Sequence, residues 1–146
     1  MVLLSFFNFL HFVGLAWGLG GATIVTVISI KSEKDKDIDV ASMKLLPAIS
    51  KFIWFGLMLL IISGVALPFY VNWPLDTQML ILKHIAVAFI VIIGVAIGLK
   101  FKKLHQLTKL EGKPEPRFLK AKKQIKLLSI INLILWYVVT LLSVFV

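Results

Sequence analysis

The sequence predicts an all-α protein, a polytopic transmembrane bundle of four helices, and three observations carry that prediction. Sixty per cent of the residues are apolar and 16% are charged, whereas a water-soluble domain has about a quarter charged. The mean hydropathy is +0.98, and the apolar residues fall in long uninterrupted blocks instead of alternating with polar ones. Fifteen of the 16 Lys and Arg lie in two segments, 31–51 and 100–126, between those blocks. The 146 residues are read as one membrane domain, with helices over 2–30, 47–71, 77–110 and 116–146.

The first block, Val2 to Ile30, runs for 29 residues without Asp, Glu, Lys or Arg, beyond the roughly 20 that span a bilayer. Nothing basic precedes it, so it reads as a mature helix and not as a cleaved signal peptide. Residues 31–46 read as a solvated mixed-charge linker, with Pro47 in the first turn of the second helix. That helix continues through an uncharged run from Phe52 to Leu75 and ends at Asn72-Trp73-Pro74. Trp54 and Trp73 are expected near its two interfaces, and Pro68 is expected to kink it. The third uncharged run, His84 to Leu99, has only 16 residues, about 24 Å of helix against an about 30 Å hydrocarbon core. If the span borrows residues 77–83, Lys83 and His84 lie within the bilayer. A basic hairpin over 100–126 follows, turning at EGKPEP, with Leu104, Leu107 and Leu110 extending the third helix as an apolar stripe. The fourth block, Leu127 to Val146, places Ser129, Asn132, Trp136, Thr140 and Ser143 on one face.

The basic residues set the expected orientation: both termini outside, both charged connections in the cytoplasm of a cell membrane. The net charge of +9 then belongs to loops that can meet anionic lipid headgroups, at about 1 kcal/mol per residue. Nucleic acid is not an expected partner, because Phe118 is the only aromatic near the basic turn.

The candidate site begins at NFLHFVGLAWGLGGA, residues 8–22. At 100° per residue Asn8, His11, Gly14, Gly18, Gly21 and Ala22 share one face of the first helix. An intramembrane imidazole marks a site by default, and glycines four apart admit a neighbouring backbone or a flat ligand. Helices one and three run parallel in this topology. His11, Lys83, His84, Ser63, Tyr137 and Thr140 then fall in one layer, roughly 10–13 Å below the outer surface. Imidazoles on facing helices of a bundle hold haem iron by axial ligation. The reading from the residues is haem, with His11 as the iron ligand and Gly14 and Gly18 beside the macrocycle. Lys83 and His84 point about 100° apart, so only one can face the same axis, and periodicity does not choose between them. A Lys there could instead pair with a propionate or move a proton. His105 reads as solvated, and Ser129, Asn132, Thr140 and Ser143 as interhelical contacts.

Several classes are excluded. Without cysteine there are no disulfides, thiolate metal sites or iron–sulfur ligands. All seven acidic residues fall in the connections, so no carboxylate cage for a hard cation lies in the bilayer. The sequence assigns no catalytic residue. The readings from other classes are a small-solute or metal permease subunit, whose polar layer lines a path, and a non-catalytic membrane scaffold. Met58 and Met79 are too scattered for a copper relay. Ala16 and Gly20, opposite the candidate face, would allow a homodimer seam.

The stretches LHFVGLAWGLGGATIVTVISIK, ISKFIWFGLMLLIISGVAL and ILKHIAVAFIVIIGVAI together resemble the small four-helix membrane proteins of the HemJ/CopD-like group. In that group a His in the first helix and a Lys in the third are the signature polar residues. The resemblance implies His11 and Lys83 in those positions, and so favours Lys83 over His84 as the partner of His11. HemJ is associated with protoporphyrinogen IX oxidation and b-type haem, CopD with copper uptake. A haem- or porphyrin-dependent oxidoreductase is the activity the resemblance implies. Where HemJ proteins carry an aromatic-rich segment with an Arg, this chain has TIVTVISIK, and LHxxGLAxGLGGAT is closer to the group's uncharacterised relatives.

Overall fold

A computed structural model describes residues 2–70, 77–108 and 116–145. It contains four long helices, α1 (Val2–Lys31), α2 (Lys36–Ala66), α3 (Thr77–Thr108) and α4 (Pro116–Phe145), with a 3-10 turn at Leu67–Phe69 after α2. All four are long and apolar enough to cross a membrane, and they pack as a bundle. At 30 to 32 residues each exceeds the roughly 20 that a span needs, so helical ends project beyond the hydrocarbon core.

Three expectations about α2 are corrected. Residues 36–46 are helix, not linker, and the α1–α2 connection shrinks to residues 32–35. The physical reason is Asp35, whose Oδ1 accepts from the Asp37 and Ile38 amides at 2.9 and 3.3 Å and caps the helix. Asp37 and Asp39 in the first turn add favourable charge at the positive end of the dipole. Pro47 consequently sits in the helix interior and not at its start. Pro68 ends α2 instead of kinking it, since the chain tightens into the 3-10 turn that contains it. Trp54 lies mid-helix, three residues beyond Lys51, where the uncharged run begins. The Asn72-Trp73-Pro74 turn, most of EGKPEP, and the side chains of His105, Leu107 and Leu110 lie outside the described residues.

Helix α1 packs along both α2 and α4, and α3 leans on α4; α2 and α3 make no comparable packing. The α1–α2 crossing is tight because two glycines meet there. A Cβ built on Gly14 would lie 2.7 Å from the Gly56 carbonyl oxygen, and one on Gly56 would lie 2.8 Å from that of Gly14. Gly18 is filled by the Trp136 indole of α4, which is fully buried. Small residues thus do on α1 what they commonly do in membranes: they bring helices together. The core gathers Ala22, Leu57, Leu60, Ala86, Ile90, Trp136 and Val139. Phe9, Phe12, Ile24, Phe52, Phe89 and Ile92 point outward, as lipid-facing residues do.

The two ends are held differently. At the basic end Lys122 of α4 pairs with Asp39 at 2.6 Å and reaches the Ser32 carbonyl at 3.4 Å, while Lys126 pairs with Glu33 at 2.7 Å. At the end bearing the termini, the Phe7 and Tyr70 rings stack at 5.4 Å.

Candidate functional site

His11 is placed by α1 one turn before the Gly14–Gly56 crossing, where the close helices bring Ser63 of α2 within reach. His11 Nδ1 lies 2.9 Å from Ser63 Oγ, and Ser63 is fully buried. The serine hydroxyl has one proton, and it is directed to the Leu59 carbonyl at 2.7 Å. Ser63 Oγ also reaches the Leu60 carbonyl at 3.2 Å, and in the tautomer with the proton on Nδ1 the ring donates to Ser63 and leaves the Nε2 lone pair unused by that bond. Gly64, one residue on, leaves the ring room: a Cβ there would meet His11 Cε1 at 4.0 Å.

His11, Lys83 and His84 line one cavity of about 60 Å³, together with Gly64 of α2 and Trp136 and Ser143 of α4. Residues from all four helices thus surround it. The other expected members do not join them. Tyr137 is 55% exposed, because it lies 100° around α4 from the buried Trp136. Thr140 spends its hydroxyl on its own helix, at the Trp136 carbonyl, and Asn8 is exposed. Ser143 is the α4 hydroxyl at this level, and it too bonds its own helix, at Val139. His84 is exposed at the rim, with Nδ1 2.7 Å from the Leu80 carbonyl. A carbonyl only accepts, so Nδ1 is its protonated nitrogen.

As a donor set, His11 Nε2 with a facing amine or imidazole suits haem iron. The space does not suit a macrocycle. About 60 Å³ is room for a few waters or a very small solute, against roughly 300–1,000 Å³ for ligand pockets. Gly14 and Gly18, expected to make room for the ring, are covered by the α2 backbone and by Trp136. As the helices are packed here, a haem does not fit this layer; α3 would have to part from α1 and α2.

The feature that sequence reasoning missed is a second, larger cavity of about 620 Å³ toward the basic end, in the seam between α2 and α3. Ile53 and Trp54 of α2, Gly94, Gly98 and Phe101 of α3, and Ser129 and Asn132 of α4 lie on its walls. Lys102 and Gln106 stand at its basic side. The two cavities share Leu57 and Ile90 as lining residues, which are 3% and 2% exposed. An apolar plug of two side chains thus divides a histidine–lysine chamber from a serine–asparagine chamber. Among the described residues neither chamber is lined by Asp or Glu.

The class that this fold and site define is a small integral membrane protein with a four-helix bundle and two largely apolar cavities inside it, each with a few polar side chains. No family model, no curated protein and no solved structure matches the chain.

Proposed function

We propose that the protein is a permease subunit for a small solute, with the α2–α3 seam as its path. The observation that carries this reading is the pair of cavities that both border Leu57 and Ile90. Hydrophobic constrictions of this kind gate by excluding water. Each chamber offers polar groups, and the neighbouring helices lack the tight glycine contact that closes the α1–α2 side. In this reading the termini face outside and the basic connections face the cytoplasm, as the charge bias favours. Anionic headgroups then meet the basic loops, and the open side of α1 at Ala16 and Gly20 is available to a second subunit.

Proteoliposome swelling in iso-osmotic small solutes tests the proposal. Wild-type vesicles are expected to swell faster than protein-free ones in at least one solute. Widening the plug with Leu57→Ala and Ile90→Ala should raise that rate about tenfold, and Lys83→Met should change which solutes pass. Swelling no faster than empty vesicles, in every variant, would sink the path. The haem reading rests on the Nε2 of His11, and it has its own signature. A Soret band in protein expressed with haem supplied, lost in His11→Ala, would replace the permease reading with haem binding.

A further inference from the structure

We infer that the larger chamber is a binding site for a small aryl carboxylate that carries a hydroxyl or amide N–H at its far end. This deepens the permease reading by naming the solute class, and it rests on taking the seam as the path.

Four observations converge on that chemistry. The cavity's about 620 Å³ lies in the range of small-molecule sites. Two of its wall residues, Ser129 and Asn132, are 3% and 7% exposed, yet Ser129 Oγ and Asn132 Oδ1 have no hydrogen-bond partner. A buried polar atom left unpaired costs about 1–3 kcal/mol, and a native structure keeps such atoms where something else satisfies them. Asn132 Oδ1 is an acceptor, so the ligand must bring a donor. The walls around that pair are apolar and partly aromatic, through Trp54 and Phe101, while α3 presents glycines at 94 and 98. Gly94 lies against Trp54, and Gly98 faces open space. A flat ring suits such walls, because aromatic pairs gain beyond their buried area. Lys102 is the charged side chain of this chamber, with no acidic residue lining it among those described. It therefore favours an anionic pole. Gly94, Gly98 and Lys102 are successive steps of four residues along α3, about 6 Å each. The acceptor stands on α4 and the amine on α3, so the ligand carries its donor and its carboxylate at opposite ends of the ring.

Three probes separate these requirements: 3-(4-hydroxyphenyl)propionate with both poles, 3-phenylpropionate without the hydroxyl, and 4-propylphenol without the carboxylate. Titration calorimetry on the full chain in neutral-lipid nanodiscs should rank the first at least about tenfold tighter than either of the others. Asn132→Leu should bring the first probe down to the affinity of the second. Lys102→Gln should weaken both carboxylates and leave the phenol unchanged. Gly98→Leu fills the cavity without meeting a neighbour and should abolish binding, whereas Gly20→Leu, equally open but not lining the cavity, should not. Equal affinity for all three probes in the wild-type protein overturns the proposal whether or not any variant folds, and so does full binding by folded Gly98→Leu. Binding without any vesicle swelling would leave the site standing and remove the path. Swelling without binding would do the reverse.

Discussion

Adding one methyl group at Gly14 is the sharpest test of how the bundle is held. A Cβ there falls 2.7 Å from the Gly56 carbonyl oxygen and 3.0 Å from the Leu60 backbone nitrogen. Both are backbone atoms, so no rotamer change relieves the overlap. Ordinary contact begins at 3.4 Å, so from 2.7 to 3.4 Å the helices must separate by about 0.7 Å. A gap of that size forfeits about a quarter to a half of each dispersion contact it opens, at about 0.1–0.2 kcal/mol per atom pair. If about 50 pairs span the crossing, the loss is about 1–5 kcal/mol. Replacing a helical glycine by alanine returns about 0.5–1 kcal/mol. We expect Gly14→Ala to destabilise by about 2 kcal/mol, in line with measured overpacking costs, or about 30-fold in the unfolding equilibrium. Steric-trap unfolding in bicelles would measure it, with Gly20→Ala, which meets nothing within 4 Å, as the control that should be neutral or slightly stabilising. Gly56→Ala should cost a similar amount, and the double variant less than the sum, because one separation accommodates both methyls. A Gly14→Ala protein as stable as Gly20→Ala would refute the reasoning, since the crossing would then not be set by backbone contact.

Other perturbations follow from contacts described above. In a double-mutant cycle, His11→Ala and Ser63→Ala should couple by about 0.6 kcal/mol, the typical strength of a hydrogen bond between membrane helices; zero coupling would mean that the two side chains do not meet. Lys122→Ala with Asp39→Ala should couple by about 0.5–1 kcal/mol in low salt, and less at 1 M salt, because the pair sits at the screened basic end. Coupling that ignores salt would contradict an ionic latch. The chain has no cysteine, so Val2→Cys and Lys120→Cys can report topology with an impermeant maleimide. Val2→Cys should label in intact cells and Lys120→Cys only after permeabilisation; the opposite pattern would invert the proposed orientation.

The four uncharged runs were enough to read the helices, because a bilayer demands length and apolarity from each segment by itself. The start of α2 escaped because its first eleven residues carry charge, and a proline at 47 imitates a helix start. The signal was present: Asp35 as a cap, then Ile38, Ser42 and Leu46 four apart on one face. Equal depth did bring His11, Lys83 and His84 to one chamber, and it found Ser63. It failed for Tyr137 because depth ignores rotation, and one residue around the helix separates Tyr137 from the buried Trp136. The glycines at 14 and 18 were legible as a close approach by a backbone or a flat group, and the structure supplies both as the α2 backbone and the Trp136 indole. The larger chamber was not legible at all. It lies where α2 and α3 meet through side chains such as Leu57 and Ile90 and not by close backbone approach, and no single helix's periodicity records how near its neighbour comes.

That looser seam gives the molecule the form of a half-open book. Helices α1 and α4 are the spine, α2 and α3 the covers, and the lysine latches tie α4 to the α1–α2 connection and to the start of α2 at the basic edge. The α2–α3 seam borders the fatty acyl chains along the span and carries Lys102 and Gln106 at its basic end. A guest that dissolves in the bilayer would therefore enter sideways, and its occupancy would follow its concentration in lipid. Apparent affinity should rise with how strongly a compound partitions, even among compounds that fit equally well.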